Sequence, residues 1–95
     1  MSAYAIFIRE KVIDESELKT YSQKAPAAMA GHSGKTLAMY GRQEVLEGQN
    51  CEGVVLLEFP TFEEAKNWYY SDAYQEACKH RFNGAEYRAV IVEGV

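Results

Sequence analysis

The sequence predicts an α+β fold built on one antiparallel sheet, and three observations predict it. Apolar segments with strand spacing and segments with helical spacing follow one another as strand, helix, strand, strand, helix, strand. Helix starts are marked at Asp14 and Thr61, each with a glutamate three residues on, Glu17 and Glu64, in the manner of a capping box. Three strands carry apolar residues on both sides: Tyr4, Ile6 and Ile8 oppose Ala5 and Phe7, Val54 and Leu56 oppose Val55, Leu57 and Phe59, and Ala89 and Ile91 oppose Val90 and Val92. The β-α-β-β-α-β order is that of a ferredoxin-like domain with both helices on one face of the sheet. An antiparallel sheet with a wet face alternates apolar and polar residues, and these strands do not. Two helices cover one face, so the simplest cover for the other is a second copy of the sheet in a closed homodimer.

Taken in order, Ala3–Arg9 reads as a strand buried on both faces. Asp14 opens a helix whose Leu18, Tyr21, Ala25 and Ala28 form an apolar stripe. Pro26 predicts a kink or break near Lys24–Ala25, and Gly31-His32-Ser33-Gly34 ends the segment. Lys35–Tyr40 is a short strand, Gly41 permits a turn or bulge, and Gln43–Leu46 is positioned to continue or pair with it. Glu47–Gly53 is a polar loop. Val54–Phe59 is a strand stopped by Pro60. Thr61 then caps a helix with Phe62, Ala65, Trp68 and Tyr69 inward. Ser71-Asp72 breaks it, with Asp72 available to cap a second piece that presents Tyr74, Ala77, Cys78 and Arg81 on one face. Asn83-Gly84 stops that piece through its tolerance of the left-handed conformation, and Tyr87–Val92 is the last strand.

A chain of 95 residues is expected to form one domain over 1-95. With 47% hydrophobic and 25% charged residues it has the composition of an ordinary globule, not of a disordered chain or a fibre. The apolar run Ala3–Ile8 is far short of the roughly 18 residues of a membrane span. No signal peptide is visible, and a cytoplasmic location is expected. Ten basic against fourteen acidic residues give a net charge of −4, without the basic stripe that nucleic-acid binding needs. Cys51 and Cys78 are expected to stay reduced, Cys78 as a core residue and Cys51 as a loop thiol. Neither His32 nor His80 has metal-ligand spacing with them, and no P-loop, GxGxxG or Ser-His-Asp pattern occurs. No metal or nucleotide cofactor is expected, and a haem would find only a lone histidine.

The segment Glu58-Phe59-Pro60-Thr61, followed by Ala65, Trp68-Tyr69, Ser71, Tyr74-Gln75 and Arg81, resembles the bacterial domain-of-unknown-function family thirteen-thirty, as do Leu46-Glu47-Gly48 and Val92-Glu93-Gly94. The resemblance implies a dimeric α+β barrel. Wider relatives on that barrel are cofactor-free monooxygenases, muconolactone-type isomerases and haem-handling enzymes, while the family itself carries no assigned reaction. Where many members look like Arg-Gly-Gly at the end of the second strand, this chain has Met39-Tyr40-Gly41. An anion site built on that arginine is missing unless Arg42 supplies it.

Five residues are candidates for a ligand site between sheet and helices: His32, Glu58, Tyr69, Tyr74 and Arg81. Glu58, on the side of Val54 and Leu56, suits a general acid or base if an apolar wall raises its pKa; its structural alternative is a pair with Arg81 or a tyrosine. Tyr69 and Tyr74 suit the lining of a pocket for a flat apolar ligand, or core packing, which is the reading for Trp68 and Tyr21. Arg81 can neutralise a ligand carboxylate or pair within the chain. His32 is either an exposed base or an ordinary loop histidine. Three readings follow: a small-molecule enzyme without a bound cofactor, a ligand-binding or sensing dimer, and a purely structural dimer.

Overall fold

The computed structural model describes residues 1–95. Its elements are β1 (Ala3–Val12), α1 (Glu15–Ala28), β2 (Lys35–Met39), β3 (Gly53–Phe59), α2 (Phe62–Tyr69), α3 (Asp72–Gly84) and β4 (Ala85–Glu93). The strands form one sheet in the order β2-β3-β1-β4, and every neighbouring pair is antiparallel. This is the expected ferredoxin-like arrangement, with the second helical segment divided into α2 and α3. No helix is long and apolar enough to cross a membrane.

The helix starts follow the capping chemistry. Asp14 accepts hydrogen bonds from the amides of Ser16 and Glu17, which also lowers its pKa, the Ser16 hydroxyl contributing most. Glu17 does not close a capping box; its carboxylate meets His80 Nδ1 at 2.6 Å and so links α1 to α3. At α2 the Thr61 hydroxyl accepts from the Glu64 amide at 3.1 Å. Thr61→Ala is therefore expected to cost about 1 kcal/mol, read as a lowered midpoint in urea melts; an unchanged midpoint would mean that the helix start is held by other contacts. Ser71, not Asp72, caps α3, its hydroxyl accepting from the Tyr74 amide.

Four further expectations are corrected. Pro26 does not break α1, because it sits in the last turn and Ala28 closes the helix two residues later, so little of the ladder lies beyond the missing N–H. Gln43–Leu46 forms no strand, and the chain from 40 to 52 is irregular. The left-handed turn after β2 is made by Tyr40, at φ 51°, rather than by Gly41. Gly84 is also not left-handed; it is needed for space, since a Cβ there would stand 2.8 Å from Leu18 Cγ. The chain passes directly from α3 into β4, and β1 runs on past Arg9 by pairing Lys11 with Glu86 and Val12 with Ala85.

The two faces of the sheet differ in their cover. Ala3, Ala5 and Phe7 of β1 stand opposite Phe59, Leu57 and Val55 of β3, and all six are buried with Ala65, Trp68, Tyr74 and Cys78 in one core. The opposite face carries Tyr4, Ile6, Ile8, Val54 and Leu56, half-buried only by their neighbours. On the same face Val90 is 55% and Val92 46% exposed, an apolar surface with no helix over it.

Candidate functional site

Helix α1 packs chiefly on α3 rather than on the sheet. Leu18 fits against Gly84, Tyr21 bonds Tyr74 and Glu17 holds His80. Tilted onto its neighbour, α1 leaves a cavity of about 440 Å³ above the sheet, within the size range of small-molecule sites. Its walls are mostly apolar and include Phe7, Leu18, Met29, Val55, Leu57 and Trp68. Ala25, Pro26 and Thr36 also line it, and their small side chains leave the space unfilled.

The polar lining groups are Arg9, Tyr21, Tyr40 and Tyr87, with the hydroxyls of Ser22 and Thr36. The phenols are paired: Tyr21 with Tyr74 at 2.7 Å and Tyr40 with Tyr87 at 2.5 Å. Burial pushes the Tyr74 phenol up to about 12, and burial likewise raises Tyr21 and Tyr40. Tyr21, Tyr40 and Tyr74 are therefore neutral hydrogen-bonding groups at physiological pH. The Arg9 guanidinium lies 4.4 Å from the centre of the Tyr40 ring, and its Nη2 reaches the Glu52 carbonyl only at 3.5 Å. The ion pairs of the chain involve Lys79, His80 and Arg88, so Arg9 has no carboxylate partner. Its Nε, like the Trp68 Nε1, is buried without an acceptor.

Tyr40 holds this arrangement at a cost. A left-handed non-glycine residue is strained by about 1–2 kcal/mol, and such strain persists only where surroundings enforce it. Here the ring lies against Gly53, where a Cβ would collide with Tyr40 Cδ1. The Tyr40 amide donates to the Val54 carbonyl, Arg9 covers its ring and Tyr87 takes its hydroxyl.

Of the five candidates from the sequence, three meet. Tyr69 and Tyr74 have ring centres 5.3 Å apart, and Arg81, 2% exposed, donates from Nη2 to Cys78 Sγ at 3.2 Å. Arg81 also lies about 5 Å from the rings of Phe7, Phe82 and Tyr87. These three residues stand behind the cavity wall and do not line it; Tyr69 instead borders a smaller cleft with Phe62, Lys66 and Ile91. Glu58 is not part of this group. It lies on the uncovered face, between Tyr4 and Lys35 in register, so it neither shares a site with Arg81 nor pairs with it. His32 is in the turn after α1, its amide donating to the Met29 carbonyl, and it is outside the cavity lining. Arg42 is exposed and also outside it. Arg9 of β1, two strands from Met39 with β3 between them, is the arginine that lines the cavity. Arg9, Tyr40 and Tyr87 were not singled out by sequence reasoning. The available signal was parity: Arg9 continues the inward row Ala3, Ala5, Phe7, where a charged residue is out of place. No cluster of three His, Cys, Asp or Glu side chains is placed to hold a metal.

Fold and cavity together define a ferredoxin-like α+β protein with a largely apolar chamber between its layers. The chain belongs to the family described as Domain of unknown function (DUF1330), whose model matches residues 2–95. Among solved structures it is similar to RPA0582 of Rhodopseudomonas palustris, a protein of unknown function, with TM-score 0.78 and 14% identity over 99% of this chain and 82% of that one. It is also similar to a dimeric, ferredoxin-like protein of unknown function from Bacteroides fragilis, with TM-score 0.64 and 17% identity over 98% and 96% of the two chains. SnoaB, a cofactor-independent oxygenase from Streptomyces nogalater, superposes with TM-score 0.64 at 6% identity over 99% and 93%. No curated protein matches by sequence.

Proposed function

We propose that this protein handles a small molecule in the cavity between α1 and the sheet, working as a homodimer that covers its second sheet face with its own copy. The observation that carries this reading is the cavity itself: about 440 Å³ of mostly apolar space with a guanidinium and three phenols on its walls. The lining holds no carboxylate, imidazole or thiol, so it offers hydrogen-bond donors and no base. A reaction here would rely on the acidity of the substrate itself, with the phenols and Arg9 steadying negative charge as it develops. A protein of the same fold, SnoaB, is a cofactor-independent oxygenase. The dimer is supported by the apolar face of Ile6, Leu56, Val90 and Val92, and by the dimeric relative of the same fold.

Binding without turnover uses the same walls and is the second reading, favoured by the absence of a base from them. Native mass spectrometry of freshly purified protein tests the proposal, with two chains carrying bound small molecules as the expected species. Trp68 is the single tryptophan, so its indole N–H gives one cross-peak that reports on the cavity. Dimers that stay empty, and whose indole signal does not move in titrations with ring-bearing fragments, would exclude small-molecule handling.

A further inference from the structure

We infer that the ligand of this cavity is a ring-bearing carboxylate, its rings against the apolar wall and its charged end on the Arg9 guanidinium. This rests on the proposed small-molecule role and adds the chemical class. Arg9 is the only charged residue of the lining, although the chain carries fourteen acidic residues against ten basic ones. A cation entering the cavity would find no partner there.

The donor inventory points the same way. A guanidinium has five N–H groups, and in Arg9 the Nε proton has no acceptor while Nη2 makes one long bond of 3.5 Å. Each phenol pair spends one hydroxyl hydrogen within the pair, which leaves the other for an outside acceptor. Arg81, close behind Phe7 and Tyr87, is a second buried guanidinium without a carboxylate. It adds positive potential to a low-dielectric chamber, where charge acts more strongly than in water. Planar carboxylate is the group that a guanidinium fork matches best.

The test compares 1-naphthoate with 1-naphthylmethanol, which has the same rings without the charge, by following the Trp68 indole cross-peak in titrations of the full-length protein. Naphthoate is expected to bind roughly 10- to 100-fold more tightly than the alcohol, the range of a charge-assisted hydrogen bond. Arg9→Met, which removes the charge, is expected to abolish that preference by weakening naphthoate far more than the alcohol. Arg9→Lys is expected to retain part of it, and addition of salt to wild-type protein should weaken naphthoate alone. Equal affinity of the two probes for wild-type protein would overturn the anion proposal and leave the cavity reading standing. A preference that survives in Arg9→Met would overturn the role of Arg9. Failure of both probes to bind would remove the cavity reading and this proposal with it.

Discussion

Leu56→Glu is expected to turn the proposed dimer into a monomer. Leu56 stands on the uncovered sheet face, paired across to Ile6 of β1 and, on the other side, to Ala38 of β2. Tyr4, Ile8, Val54, Val90 and Val92 extend the apolar surface around it. In a sheet-to-sheet dimer a carboxylate at this position has no partner, and its twofold mate adds a second carboxylate nearby. Burying an unpaired charge costs several kcal/mol, and each 1.4 kcal/mol weakens association tenfold. Sedimentation equilibrium at micromolar concentration is expected to give two chains for wild-type protein and one, of 10.7 kDa, for the variant. The helix-covered face is untouched, so far-UV circular dichroism should keep the folded signature. A wild-type monomer at that concentration, or an undiminished dimer in Leu56→Glu, would remove the sheet face as the interface.

The same face explains which parts of the protein were legible in its sequence. The succession of elements along the chain and most of their bounds follow from periodicity, because buried rows such as Ala3, Ala5 and Phe7 repeat at two and helical stripes at three and four. The apolar character of both sheet faces is also written in the residues, and so is the parity of Glu58 with Val54 and Leu56. What parity does not give is the face on which the helices lie. When both faces are apolar, the pattern is symmetric, and placing Glu58 beside Arg81 required choosing the wrong one. Arg9 was legible only as the charged end of one apolar row, as Glu10 is of the other, and not as a residue of the helix-covered face. Tyr40 was not legible, because a tyrosine in the left-handed conformation follows from tertiary contacts with Gly53, Arg9 and Tyr87 and from no local preference. The cavity is likewise a tertiary product. It depends on α1 leaning on α3, and that contact rests on Gly84, which read locally only as a helix stop.

Trp68→Ala is expected to bring the fold close to its limit. The indole is 3% exposed and touches most of what joins the layers: edge-on to Phe7 at 6.1 Å, tilted against Phe59 at 5.4 Å, and 4.3 Å from Tyr74. It thus ties α2 to β1, β3 and α3 at one point. Aromatic-to-alanine changes in cores cost about 3–5 kcal/mol, against a total stability of about 5–15 kcal/mol for a typical domain. Urea melts followed by far-UV circular dichroism at one fixed protein concentration provide the measurement, since a dimer's midpoint shifts with concentration. Trp68→Phe separates packing from hydrogen bonding. Because the indole N–H is buried without an acceptor, its removal forfeits no bond and relieves an unmet desolvation cost. The phenylalanine variant should therefore lose only the volume difference, about 1–2 kcal/mol on the scale of partial core truncations. A loss as large as that of the alanine variant would mean that the N–H is bonded in solution, with a cavity water as its acceptor. A loss below 1 kcal/mol for Trp68→Ala would mean that the aromatic cluster does not hold the two layers together.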